Sequence, residues 1–425
     1  MVKFIFGKPI KSLEDFYDRE ELLKSMLSYI EKGQSYALIG FRRMGKTSIL
    51  NVLQQILRER GFLTSFIDLE VKMERGYLDP VSFLRLYNFS ILEDYFNQVG
   101  LFIKLKHLVH ETPSKIVLVL SEILGRLKSS SLKVQSPIGS LELHLEFEKV
   151  LYENRNRIEI EDMLLENILK LPEDLSQEHG KRFIVFIDEF QFIRDLKAWR
   201  KGIFHTMRSI YQHQEKTTYI ISGSAVGMIT DILNSKDAPF YMTFMPIQVK
   251  PFSQETARNY LYEGFISEGF TVTKNALDIL VQNVDGIPAW LSYIGQKCIF
   301  NANEQKTRTI DEKIASDVVN KMYEDPLLIS EIEKDLTKLR TVTKTPRILK
   351  ILEIMAKYDA TSPSEIAQIL SKQEGKPIPQ SKILQLYLER LLQYGYIQKE
   401  NRGKYIIADP ILAQYLKRKQ TSNST

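Results

Sequence analysis

A single cysteine, Cys298, occurs in 425 residues. No disulfide can close within the chain, and no zinc site can be built on cysteine pairs. Six histidines are scattered without an HxxxH pair, so a metal held by protein ligands alone is not expected. Long apolar runs are missing too. The longest aliphatic stretch, Ile116–Leu120, is far too short to cross a bilayer. The opening MVKFIFGKPIKSLEDF lacks an apolar stretch followed by a small-residue cleavage site, and is read as no signal peptide. These absences predict a cytoplasmic chain with no membrane partner. Large net charge is also lacking: the balance is +5. It is unevenly spread, however. Residues 341–425 carry 14 Lys+Arg against 7 Asp+Glu, or +7, which leaves −2 for the rest. A nucleic-acid contact is therefore sought first in the C-terminal segment.

What is present is ordinary globular material, 44% hydrophobic and 26% charged, long enough for two or three domains. One stretch stands out. Leu38–Leu50 reads LIGFRRMGKTSIL and contains the GxxxxGK[ST] spacing at Gly40, Gly45, Lys46 and Thr47. A β-prone run, SYALI, ends at Gly40. An apolar helical pattern begins at Thr47 and stops near Gly61. A strand, a glycine loop and a helix form a phosphate cradle. Glycines let successive N–H groups from Gly40 through Met44 to Ser48 turn inward. The helix start adds unpaired N–H groups and its positive dipole end. Lys46 then reaches the β- and γ-phosphates of ATP, and Thr47 supplies a hydroxyl ligand to Mg²⁺. Arg42 and Arg43 crowd this loop. Their side chains can point away while their N–H groups serve the cradle, pair with an acidic wall, or approach a phosphate.

A cradle of this kind needs a carboxylate at a nearby strand end. Phe183–Ile187 is a five-residue apolar run, suited to a central parallel strand, and it ends in Asp188-Glu189. Asp188 is the candidate for holding Mg²⁺, and Glu189 for polarising the attacking water. A further strand, Thr217–Ile221, ends in Ser222-Gly223-Ser224. Polar groups at strand carboxyl ends face ligands in such sheets, so Ser222 or Ser224 is a sensor candidate, with Ser224 preferred as catalytic.

These pieces resemble the archaeal ATPase family, a branch of the AAA+/STAND P-loop NTPases. The resemblance rests on FYDREELLKSM, GFRRMGKTS, FIDEFQFI, IISGSAVGMI, VKPFSQETA and VDGIPAWL, and on a C-terminal segment ending YIIADPILAQYL. It implies an adenine contact at Tyr17, Asp18 and Arg19, and a lid turn at Gly286 and Pro288 near the base or ribose. Relatives often carry an arginine soon after the GS strand. Here the corresponding stretch, APFYMTFMPIQV, has none. Arg194, Arg200 and Arg208 remain between the two strands, and nothing in the sequence selects one. A slow, switch-like hydrolase is expected.

The fold class expected is α/β: a P-loop NTPase core with a parallel sheet flanked by helices, a helical lid and a C-terminal winged helix-turn-helix. The core spans 1–250, with an insert over about 73–180. The lid spans 251–335 and the winged helix 341–425. Within the insert, Phe83–Val99, Lys115–Leu127 and Ile160–Leu175 read as helices. Leu132–Phe147 alternates apolar and polar residues around SPIGS and reads as a β-hairpin. The insert is a candidate surface for a protein partner. In the winged helix, double-stranded DNA contacts are expected at Lys382 and Gln385 on the third helix, and at Arg402 and Lys404 on the wing. Oligomers are compatible with this reading. Two alternatives stand beside the switch ATPase: an origin-recognition-type replication initiator, and a DNA-binding regulator that holds ATP without turnover.

Overall fold

The computed structural model describes residues 2–70, 77–129, 135–153, 162–198, 202–233, 238–400 and 403–419. Five parallel strands form the central sheet: β1 (Tyr36–Ile39), β2 (Leu63–Asp68), β3 (Phe183–Asp188), β4 (Thr217–Gly223) and β5 (Met245–Gln248), in the order β2-β3-β4-β1-β5. The expected α/β class holds. β1, β3 and β4 are buried along their whole length, which is why β1 and β3 up to Ile187 read as apolar runs; β4 buries Thr217, Thr218 and Ser222 as well. β5 is the exposed edge and contains Pro246. Nothing in its local pattern announces a strand.

Alternate residues of each strand face opposite sides, and two separate cores result. Leu38, Ile184, Phe186 and Ile220 join one core. Ile39, Phe183, Val185, Ile187 and Ile221 join the other. On the first side pack α1 (Glu20–Ile30) and α2 (Lys46–Glu59). On the second lie α3 (Pro80–Gln98), α4 (Pro113–Ser129), α5 (Gln135–Glu153), α6 (Asp162–His179), α7 (Ile203–His213) and α8 (Val226–Leu233). α3 is buried on every side because it lies between β2 and α6.

The hairpin expected over Leu132–Phe147 is not formed. Its described residues belong to α5. The alternation LELHLEF also places Leu141, His144, Leu145 and Glu148 at helical spacing, and all four are buried. Pro137 sits in the first helical turn, where no backbone N–H is needed, rather than in a turn between strands.

Beyond β5 come α9 (Gln254–Ser267), α10 (Lys274–Val284), α11 (Pro288–Glu304) and α12 (Glu312–Lys321), with the short parallel pair β6 (Thr271–Val272) and β7 (Thr309–Ile310). α13 (Pro326–Thr343) follows. It buries Leu328, Ile332, Leu336 and Leu339 along one stripe. Then come α14 (Arg347–Tyr358), α15 (Pro363–Glu374), and a third helix in three parts: α16 (Gln380–Ile383), a π turn over Leu384–Leu388, and α17 (Glu389–Gln393). An antiparallel ribbon, β8 (Ile397–Lys399) with β9 (Tyr405–Ile407), precedes α18 (Pro410–Lys419). Among the described residues, no helix is long and apolar enough to cross a membrane.

Candidate functional site

The loop after β1 turns into α2 at Gly45, which has φ +81 and sits at the helix N-cap. A side chain there meets strain whatever the space around it. Lys46 is 6% exposed and donates from Nζ to the Phe41 carbonyl at 2.8 Å, across the mouth of its own loop. Burial lowers its pKa, while Glu189 and Asp188 oppose that shift. Its ammonium therefore sits where a negative ligand would stabilise it.

β3 delivers the two carboxylates. The Thr47 hydroxyl donates to Asp188 Oδ2 at 2.6 Å, and the Ser222 hydroxyl donates to Asp188 Oδ1. Burial, and then Glu189, push the Asp188 carboxyl above its usual range, despite the Ser222 and Thr47 bonds. Glu189 has φ +54, a left-handed backbone that a β-strand exit does not need. That turn aims its carboxylate at Ser224, whose Oγ donates to Glu189 Oε2 at 2.7 Å. Gln191 Nε2 donates to the same oxygen. Burial alone would raise the Glu189 pKa, but Lys46, Lys338 and Arg42 outweigh it and hold the carboxylate ionised. The two serines at the end of β4 thus serve different acids. Asp68 ends β2 in register with Asp188, and burial, followed by the Asp188 charge, pushes its carboxyl up to about 7.

In front of these groups opens a cavity of about 380 Å³. Arg42, Arg43, Gly45, Lys46, Thr47, Ser48, Glu189 and Ser224 line it, as do Tyr17, Arg19 and Pro288. Arg19 braces the loop: Nη1 donates to the Met44 carbonyl and Nη2 to the Lys250 carbonyl, both at 2.7 Å. Burial lowers its pKa to about 10. Tyr17 donates to Glu263 at 3.0 Å. Asp18, Gly40 and Met44 are not among the lining residues, and the Met44 side chain is in the core. Arg194 and Arg208 also lie off the wall, and Arg200 lies outside the described residues.

Two further segments line the cavity, and sequence reasoning missed both. The first is the N-terminal strap Ile5–Ile10. Ile10 N donates to Ser48 Oγ at 3.0 Å, and Phe4 packs edge-on against Phe265 with centroids 5.2 Å apart. The second is one face of α13: Glu331, Lys334, Asp335 and Lys338. The spacing i, i+3, i+4, i+7 is a signal that was there to read.

Arg42 and Arg43 line the cavity, but their guanidinium groups reach away from the loop. Arg43 pairs with Asp335 at 2.6 Å and with Asp409 at 3.3 Å, over the Trp290 ring. Arg42 donates to the Tyr394 carbonyl at 3.2 Å and lies over the Tyr396 ring. Asp409 also accepts from Trp290 Nε1 at 3.0 Å. The phosphate-cradle loop is therefore bound to α13, α11 and the segment before α18. Lys382, Gln385 and Lys404 are exposed and do not line this cavity, and Arg402 lies outside the described residues.

A parallel sheet in this order, with a glycine loop and an acid pair meeting at its strand ends, defines a P-loop NTPase. The profile of one family, described as an ATPase domain predominantly from Archaea, matches residues 16–294, and the chain belongs to that family. The protein is an ATPase. The Walker-type ATPase PABY2304 of Pyrococcus abyssi is 24% identical, with a TM-score of 0.68 over 97% of this chain and 99% of that one. The ORC2 protein of Aeropyrum pernix, solved as ADPNP-ADP complexes, is 10% identical, with a TM-score of 0.51 over 99% and 98%. Both show the same fold. No curated protein matches the chain.

Proposed function

We infer that the protein is a nucleotide-driven switch in which ATP hydrolysis is coupled to the C-terminal helices and ribbon. The observation that carries this reading is Arg43, which belongs to the cradle loop yet bridges Asp335 and Asp409. A ligand that reshapes the loop must act on that bridge.

In this mechanism the loop amides, Lys46 and the start of α2 bind the phosphate chain. Arg19 fixes the loop by its Met44 contact, and Tyr17 and Pro288 border the space for the base and ribose. Ser224 orients Glu189, whose ionised carboxylate accepts a proton from the attacking water. Magnesium fits the residues present, because a hydroxyl on the cavity wall, Thr47, already meets a carboxylate buried behind it, Asp188. Among the described residues no cluster of three or more His, Cys, Asp or Glu could hold a metal, so phosphate oxygens and water would complete the set. When bound, the ion would neutralise charge on the phosphates. With no arginine from the segment after β4 on the wall, turnover is slow.

The C-terminal part supports a winged-helix reading: three helices, then a two-stranded ribbon. Lys382 and Gln385 at the start of the third helix, and Lys404 on the ribbon, are exposed for contact with duplex DNA. Arg402, two positions before Lys404 in the sequence, is the remaining candidate. The experiment is a salt titration of DNA binding by the full chain, with ADP and with a non-hydrolysable ATP analogue. Affinity should fall steeply with salt and differ between the two nucleotides. A flat salt response, or no binding, sinks the DNA arm and leaves a protein partner.

A further inference from the structure

Among the described residues, no arginine on the cavity wall is free to meet the terminal phosphate. Arg42 and Arg43 are committed to Asp335, Asp409 and the Tyr394 carbonyl. Arg19 is committed to two backbone carbonyls. α13 supplies the cation instead. Its Leu328, Ile332, Leu336 and Leu339 stripe is buried, which turns Glu331, Lys334, Asp335 and Lys338 toward the cavity. Lys338 is the one that reaches the chemistry. Its Nζ pairs with Glu70, just past the end of β2, and lies 5.3 Å from the centroid of the Phe192 ring. It lines the same cavity as Glu189, and the end of β2 from which Glu70 follows is in register with the end of β3 that carries Asp188 and Glu189. Glu189 marks the position of the attacked phosphate, so Lys338 faces the γ end of a bound triphosphate.

We propose that Lys338 reads the γ-phosphate in cis, exchanging Glu70 for the terminal phosphate when ATP is bound and keeping Glu70 when ADP is bound. The exchange needs little. The Lys338–Glu70 pair is partly exposed, with side chains 22% and 44% accessible, so breaking it costs little. A phosphate in a drier cavity is the stronger partner. Asp335, one turn before Lys338 on the same helix, takes Arg43. The helix that detects the γ-phosphate is therefore the helix tied to the cradle loop. Lys334, one turn from Lys338, faces the same space and can follow it.

This inference rests on the reading of the cavity as a nucleotide site, and the experiment separates the two. Titration calorimetry is run on the full chain with ADP and with a non-hydrolysable ATP analogue, magnesium present, for wild type, Lys338→Met, Lys338→Arg and Glu70→Gln. Lys338→Met should weaken the ATP analogue about tenfold and leave ADP within about twofold, since one charge-assisted contact is lost. Lys338→Arg should restore most of the preference. Glu70→Gln, which removes the competitor, should shift preference toward the ATP analogue. If Lys338→Met shifts both nucleotides equally, or neither, the lysine is a structural ion-pair partner and the proposal falls. If that variant does not fold, an unchanged ATP-to-ADP ratio in Glu70→Gln overturns it. Wild type that binds neither nucleotide overturns the cavity reading itself.

Discussion

The hydroxyl of Thr47 donates to the carboxylate of Asp188 at 2.6 Å, although 141 positions separate them in the chain. That bond joins the start of α2 to the end of β3. It brings Lys46, Asp188 and Glu189 together at the carboxyl ends of the strands.

Glu189→Gln should keep nucleotide binding and lose turnover by about 10²–10⁴, the range for a positioned general base. Phosphate release under saturating ATP, beside equilibrium ATP binding, checks it. A variant that turns over as fast as wild type removes Glu189 from the chemistry.

Arg43→Ala should cost about 1–3 kcal/mol in urea unfolding, because Asp335 and Asp409 lose a shared, largely buried partner. Arg43→Lys should rescue it poorly. An ammonium cannot span two carboxylates and cover the Trp290 ring as a guanidinium does. Full rescue by lysine would reduce the bridge to simple charge.

Gly395→Ala probes the same junction from the other side. Gly395 has φ +70, and an added Cβ lies 2.6 Å from the Ser224 carbonyl oxygen. Relief requires the C-terminal segment to back away from the end of β4, at about 1–3 kcal/mol. Because Ser224 holds Glu189, turnover should fall along with stability. Unchanged turnover would separate this contact from the site.

Asp68 gives a pH signature. Its folded carboxyl titrates at about 7, raised first by burial and then by Asp188. Unfolded, it titrates at about 3.9. Between those values the folded state holds the extra proton, so stability from this group is full below about pH 4 and is lost as pH rises through about 7. Asp68→Asn removes the dependence. In EDTA, its melting-temperature advantage over wild type should grow from about pH 4 to about pH 7 and then level off. An advantage that shrinks over that window contradicts the assignment.

Much of this site was legible in the sequence because local pattern and chemistry coincide there. GFRRMGKTS follows a strand run and opens a helix, and FIVFIDE is a buried strand with acids at its end. The misread hairpin had a different cause. LELHLEF satisfies both a period of two and a helical spacing, and packing on α4 and α6 decides for the helix. β5 is an edge strand with no buried run to find. The arginine partners were beyond reach for a simpler reason. Asp335 and Asp409 are distant in sequence from Arg43, and no local spacing encodes an ion pair between separate elements.

The most direct measurement is titration calorimetry of the full chain with ATP and magnesium, for wild type and Lys46→Ala. Saturable binding by wild type is expected, weakened about tenfold or more once the buried ammonium is removed. Wild type that takes up no ATP, or a variant that binds as tightly as wild type, contradicts a phosphate cradle at Gly40–Ser48.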